Sequence, residues 1–283
     1  MKTEPGKLYL VATPLGNLED ITQRALRILA EVDLIAAEDT RHTLKLLNHF
    51  GIKRRTLSYH RHNERERSKE IIEMLLSGLN VALVSDAGMP GISDPGNFLV
   101  AEAIKQGVKV IPIPGASAVV TALAASGLAT NSFWFQGFLP RKAKERTEIL
   151  TELAKIKGTL VFYEAPHRLT ATLKSLLQVL GDRNTVIARE LTKIHEEFIR
   201  GRLSEVIAHF ENQSPKGEIT ILIEGATIGK NRQNSTNQNN FKIGVINKTA
   251  GLNLRQNLKK IAQETGKSVR EVYQIYLAEK EKK

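Results

Sequence analysis

Short apolar runs and longer amphipathic stretches take turns along most of the chain. Lys7–Ala12, Leu34–Ala37, Val81–Val84 and Val108–Ile113 are apolar runs of strand length. Between them, Ile21, Ala25, Leu26, Leu29 and Val32 recur at helical spacing, with Asp20 placed to cap the helix. Arg41–Phe50, Asn63–Leu76 and Phe98–Lys105 read as further helices, closed by Gly51, Gly78 and Gly107. Strands alternating with helices in this way predict a mostly parallel sheet covered on both faces.

Pro112-Ile113-Pro114-Gly115 breaks the rhythm, and the Ala-rich run Ser117–Ser126 opens a second set of elements. Strands are expected at Ser132–Gln136, Gly158–Tyr163, Thr185–Glu190, His195–Gly201 and Glu218–Glu224. Helices are expected at Ala143–Lys155, His167–Leu180 and Leu203–Phe210. Too little chain separates Thr185–Glu190 from His195–Gly201 for a helix, so a hairpin and a mixed sheet follow. The stretch from Thr227 to Asn240 is rich in Asn, Gln, Ser and Gly and reads as a linker. Beyond it, Leu254, Leu258, Ile261 and Ala262 define one amphipathic helix; Val269, Val272, Tyr273 and Tyr276 define another, with Gly266 between them and Ser268 as its cap. This helix pair reads as a helix-turn-helix or as a packing lid. The predicted organisation is an α/β domain over 1–115, a mixed α/β domain over 116–226, a linker over 227–250 and a helix-turn-helix-like appendage over 251–283.

Charge adds a polarity to this plan. The net charge is +11, and residues 227–283 hold 12 Lys and Arg against 4 Asp and Glu. A basic tail is either a solubilising segment or an electrostatic footprint for a polyanion. The chain has no cysteine, which excludes disulfides and thiolate metal sites. No apolar run reaches the roughly 18 residues of a membrane span, and no signal peptide is evident, so a soluble cytoplasmic protein is expected. His60 and His62 lack companion carboxylates, and no metal site is expected.

The candidate chemistry lies in the turns. Ser85–Gly96 follows a buried strand and precedes a helix, where open α/β sheets bind ligands. Its glycines and prolines allow close backbone approach and a fixed shape; the alternative is an elaborate turn with Asp94 capping the next helix. The loop matches neither a Walker A sequence nor a G-x-G-x-x-G turn. Ala12–Asp20 and Pro112–Ala118 occupy equivalent strand ends, and the three loops are expected to converge on one cleft.

Ala12–Asp20, Ala37–Arg41, Ser85–Gly96, Pro112–Ala118, Gln136–Pro140, Phe162–Arg168 and Arg189–Glu197 together resemble, in order, the motifs of the tetrapyrrole-methylase superfamily of S-adenosylmethionine-dependent enzymes. Within it, the set is most similar to the branch that methylates small-subunit ribosomal RNA. The resemblance implies the two-domain, class III methyltransferase fold, with S-adenosylmethionine bound folded between the domains, largely by backbone groups. It places cofactor contacts at Pro14, Asp86, Ala87, Gly88, Ile92, Ser117 and Ala118, and in the second domain at Phe162, Leu191, Glu218 and Ile219. It further implies a homodimer that methylates the ribose 2′-hydroxyl of a decoding-region cytidine in 16S rRNA, free or within the small ribosomal subunit. Met89 departs from the Thr common in that family.

Methyl transfer to a hydroxyl needs alignment and a proton acceptor. Three segments offer groups: Glu38, Asp39 and Arg41; Glu164, His167 and Arg168; and Glu190, Lys193, His195, Glu196 and Glu197. Glu164 is the favoured acceptor, with Arg168 holding phosphate; the alternative is an internal Glu164–Arg168 pair. Lys193 and His195 are candidate phosphate contacts, whereas Glu196 and Glu197 read better as hairpin ion-pair partners. Two other functions remain open: a small-molecule tetrapyrrole methyltransferase, against which the basic tail argues, and a DNA-binding regulator with an α/β sensor.

Overall fold

The computed structural model describes residues 4–211, 215–226, 258–259, 262 and 268–280, the last six of these by their backbone alone. Contacts divide the chain after Ala226.

The first sheet is built from β1 (Lys7–Val11), β2 (Leu34–Ala37), β3 (Arg55–Ser58), β4 (Val81–Val84) and β5 (Lys109–Ile113). Their order is β3-β2-β4-β1-β5, and every pairing is parallel. The helices are α1 (Gln23–Glu31), α2 (Thr40–His49), α3 (Glu64–Leu76) and α4 (Asn97–Lys105). Alternation along β4 explains the layering. Val81 and Leu83 point into the core shared with Ile71, Leu75 and Leu99 of α3 and α4. Ala82 and Val84 point to the other face, against Ile28, Leu29 and Leu47 of α1 and α2. Both faces are therefore apolar, which is why these strands read as continuous hydrophobic runs.

Two local expectations change. The N-cap of α1 is Thr22, whose side chain accepts from the Ala25 amide at 3.1 Å, rather than Asp20. Strand β3 was not expected. It lies at the sheet edge with one neighbour and no fully buried residue, so it lacks the apolar pattern of an inner strand.

The second sheet contains β6 (Phe133–Phe138), β7 (Thr159–Glu164), β8 (Asn184–Arg189), β9 (Glu197–Arg202) and β10 (Ile219–Ile223), in the order β6-β7-β10-β8-β9. β6 and β7 are parallel; the other pairs are antiparallel, including the β8–β9 hairpin. One face packs against α6 (Ala143–Leu153), α7 (Leu169–Leu180) and α8 (Leu203–Glu211). The other face packs against α5 (Ala118–Ser126) and also receives Leu15 from the loop after β1. That contact joins the two sheets within one compact unit.

In the carboxyl-terminal unit, α9 (Val269–Lys280) is opened by a capping box. Ser268 Oγ accepts from the Glu271 amide at 3.3 Å, and Glu271 accepts from the Ser268 amide at 2.9 Å. Leu258 and Ala262 are buried. The linker at 227–250 and most of the helix expected before Gly266 lie outside the described residues.

Candidate active site

Four strand ends of the parallel sheet, those of β1, β2, β4 and β5, supply one wall of a cleft of about 460 Å³. The loops after β1 and β4 are tied by reciprocal amide–carbonyl bonds between Thr13 and Gly88, at 2.9 and 3.0 Å. Thr13 Oγ1 also donates to the Ser85 carbonyl at 3.0 Å. Gly88 has φ +81°, a conformation that L side chains rarely adopt. The loop after β5 comes so close that a Cβ on Gly115 would lie 2.9 Å from Ala12 Cβ. Glycine at these points is what lets the three loops converge.

The first-sheet wall contains Asp86, Ala87, Gly88, Ile92, Ser117 and Ala118. The second-sheet wall contains Leu191, Glu218 and Ile219. Nine of the eleven residues carried over as cofactor contacts thus line this space. Pro14 lines an adjoining cleft. Phe162 does not reach the space with its side chain: it is fully buried among α6, α7 and α8. The period-2 alternation of β7 turns Tyr163 toward the cleft instead.

The cleft is acidic. Glu38, Asp86 and Asp94 all line it. Asp94 has its pKa pushed up to about 7, first by burial and then by the charge of Glu38, while Ser85 and Arg61 pull the other way. Glu38 is raised by burial and by Asp86. Burial and the charge of Asp94 push Tyr163 up to about 12. Asp86 Oδ1 accepts from the Asp39 amide at 3.1 Å, which fixes the carboxylate at the end of β4. Asp94 does not cap α4: the cap position is Gly96, and no side chain bonds there. Ser93 beside Asp94 holds φ +68°, one of three non-glycine residues among those described with positive φ.

Glu164 also faces the cleft, but it is 2% exposed and committed within the fold. Its Oε1 accepts from the Ala165 amide at 2.8 Å and pairs with Arg168 Nε at 3.3 Å. Its Oε2 accepts from Thr172 Oγ1 at 2.5 Å. Arg168 Nη2 donates to the Leu139 carbonyl at 2.7 Å. With both oxygens engaged, Glu164 serves as an anchor for the strand end. The expectation that it takes a proton, and that Arg168 holds a phosphate, gives way to the internal pair. His167 is exposed and outside the cleft.

A second cleft of about 500 Å³ adjoins the first and shares Leu15, Asp86, Ala87 and Glu218 with it. Lys193 lines it, donating to Glu190 Oε1 at 2.9 Å and Glu218 Oε2 at 3.2 Å. Burial lowers the Lys193 pKa, but these two bonds outweigh it and hold the ammonium charged. Lys193 is thereby neutralised and packs over Gly16, where a Cβ would lie 2.3 Å from Lys193 Cγ. Glu197 pairs with Arg189 at 2.9 Å, as a hairpin ion pair. Asp39 is bound by Arg41 at 2.7 Å. Sequence reasoning missed Asp94 as a cleft residue, Tyr163, Phe138 and Thr43. Of these, Asp94, Phe138 and Tyr163 already sat within the motifs named above, and only Thr43 lies outside them.

Comparison with known proteins agrees with this architecture. Residues 7–207 match the family model of tetrapyrrole (corrin/porphyrin) methylases. The chain belongs to that family. It is 49% identical over 277 residues to ribosomal RNA small subunit methyltransferase I of Halalkalibacterium halodurans, covering 97% of this chain and 96% of that one. It is 53% identical over 220 residues to the protein of the same name from Thermotoga maritima, covering 78% of this chain and 99% of the relative. Among solved structures, uroporphyrin-III C-methyl transferase of Thermus thermophilus complexed with S-adenyl homocysteine shares the fold at a TM-score of 0.55 and 22% identity. That match covers 77% of this chain and 97% of the other.

Proposed function

We propose that this protein transfers a methyl group from S-adenosylmethionine to a ribose 2′-hydroxyl of a cytidine in the decoding region of 16S ribosomal RNA. The observation that carries the reading is the cleft in which strand-end loops present backbone and acidic groups, in a chain that matches the Halalkalibacterium halodurans protein of the RNA methyltransferase name over 96% of that protein's length. A cationic donor fits this chemistry. Glu38, Asp86 and Asp94 supply compensating charge, and Ala87, Gly88, Ser117 and Ala118 leave room for close approach to the backbone. When bound there, the donor would supply an activated methyl group with a neutral thioether as leaving group.

What the chain contributes is alignment and a place for the hydroxyl proton. Asp86 is suited to receive it. Its carboxylate faces both clefts, and the Asp39 amide steadies one oxygen. Glu218, the other carboxylate on the shared wall, is already paired with Lys193.

The Thermotoga maritima relative aligns over nearly its full length while leaving about a fifth of this chain unmatched. RNA recognition in this reading therefore rests first on the unit that ends at Ala226, and the basic tail adds non-specific phosphate attraction. The division at residue 115, the cytoplasmic location and the homodimer belong to the same proposal. Mass mapping of ribose methylation in 16S RNA, with and without the protein, tests it. Appearance of one 2′-O-methylcytidine supports the reading, and an unchanged RNA map overturns it.

A further inference from the structure

The cleft just assigned to the methyl donor has a volume suited to one small ligand, roughly 300–1,000 Å³. An acceptor must then approach from elsewhere. The second cleft adjoins it across Leu15, Asp86, Ala87 and Glu218.

The chemistry of the second cleft differs from that of the first. Thr43, on α2, is 2% exposed and lines it. Its Oγ1 is buried without a hydrogen-bond partner among the described residues. A buried hydroxyl left unpaired costs free energy that a ligand oxygen can recover. On the same helix, His42 and Lys45 stand one turn from each other, line the cleft and are exposed. Lys45 forms no ion pair among the described residues, unlike Lys193 across the cleft. Leu15, Leu18 and Leu46 supply apolar surface. An apolar face, an available cation and an unpaired hydroxyl suit a ligand with a flat ring, an anionic group and sugar oxygens.

Resting on the RNA methyltransferase reading, we propose that the second cleft seats the acceptor nucleotide of the RNA. Lys45 and His42 face its phosphate, Thr43 Oγ1 bonds one of its oxygens, and its ribose lies against Asp86 at the shared wall. The transfer then crosses that wall: the ribose oxygen gains the methyl group, the donor sulfur keeps the electron pair of the broken bond, and the hydroxyl proton passes to Asp86.

The test uses the full-length protein with Thr43→Val and Lys45→Ala. Steady-state methylation of small-subunit RNA and RNA binding at several salt concentrations are measured beside calorimetric binding of S-adenosylhomocysteine. Thr43→Val removes the hydroxyl at constant shape, so KM for RNA should rise about tenfold. S-adenosylhomocysteine affinity should stay within about twofold, and the melting temperature should hold or rise. Lys45→Ala, on an exposed position, should lower the slope of log affinity against log salt by roughly 0.7. If the wild type methylates RNA while both variants match it, the acceptor assignment is wrong and the function stands. If the wild type transfers no methyl group to RNA, the function reading fails and the acceptor assignment falls with it.

Discussion

Asp86 follows β4 of the parallel sheet, and Glu164 ends β7 of the mixed sheet; both face the same cleft. Their surroundings are opposite. Glu164 is held by a backbone amide, a threonine hydroxyl and an arginine, all within eight residues along the chain. Asp86 is steadied by one amide, stands beside Glu38, and opens to two clefts. A carboxylate whose acceptor sites are filled fixes structure, whereas one with free lone pairs can take a proton. The sheets differ for a related reason. In the parallel sheet every strand delivers its carboxyl end to one side, so several loops meet there. In the mixed sheet, β7 and β10 run in opposite directions, and the site receives the end of one beside the start of the other.

This contrast can be broken by exchanging the roles experimentally. The largest effect is expected at Asp86→Asn, which keeps an oxygen for the Asp39 amide but loses basicity. Its turnover should fall about 10²–10⁴-fold, with the melting temperature unchanged or raised. Normal turnover would remove Asp86 from the chemistry.

Glu164→Ala should act on folding instead. It strands a nearly buried Arg168 and Thr172, at a cost of about 3–5 kcal/mol in urea denaturation. Turnover per folded molecule of the milder Glu164→Gln should stay near wild type. A stable but inactive Glu164→Gln would restore Glu164 as the proton acceptor.

The smallest effect sharpens the contrast through pH. Asp94 binds its proton more tightly in the folded chain, at about 7, than its ordinary value of 3.8. Between those values the folded state holds more protons than the unfolded state, so this group lowers stability as pH rises through the window. Asp94→Asn should gain about 1–2 kcal/mol at about pH 8, after discounting for partial exposure, and nothing near pH 3. Denaturation curves at both pH values check this; an equal gain at both would assign the effect to packing.

Much of this site was legible because its parts carry unusual backbone chemistry. Gly and Pro in Ser85–Gly96 and Pro112–Ala118 marked the loops, and their positions after apolar runs marked the sheet edge. Side-chain direction was less legible. Choosing Phe162 over Tyr163 depends on the phase of β7, which an almost uniformly apolar strand does not declare. The role of Glu164 turned on Thr172, eight residues along on α7, which no motif includes. Asp94 read as a cap because Asp before a helix often is one; here the chain turns through Gly96 and leaves the carboxylate facing Glu38. Thr43 is invisible as a site residue because a buried threonine on a helix is ordinary in sequence. Strand β3 escaped because edge strands need little apolar surface.

The inner position of β1, between β4 and β5, bears on how the chain is made. Lys7–Val11 leaves the ribosome well before its partners in the sheet, Val81–Val84 and Lys109–Ile113. At roughly 5–20 residues per second, this apolar strand waits several seconds before either neighbour exists. Both of its ladders must be completed by late arrivals, and the Thr13–Gly88 tie can close only once the loop after β4 has been made. During that interval the nascent chain exposes a sticky amino-terminal segment, so its yield in the cell should depend on holdase chaperones more than on its final stability. Ribosome-bound chains stalled before and after residue 113, probed by limited proteolysis, should differ in protection of β1.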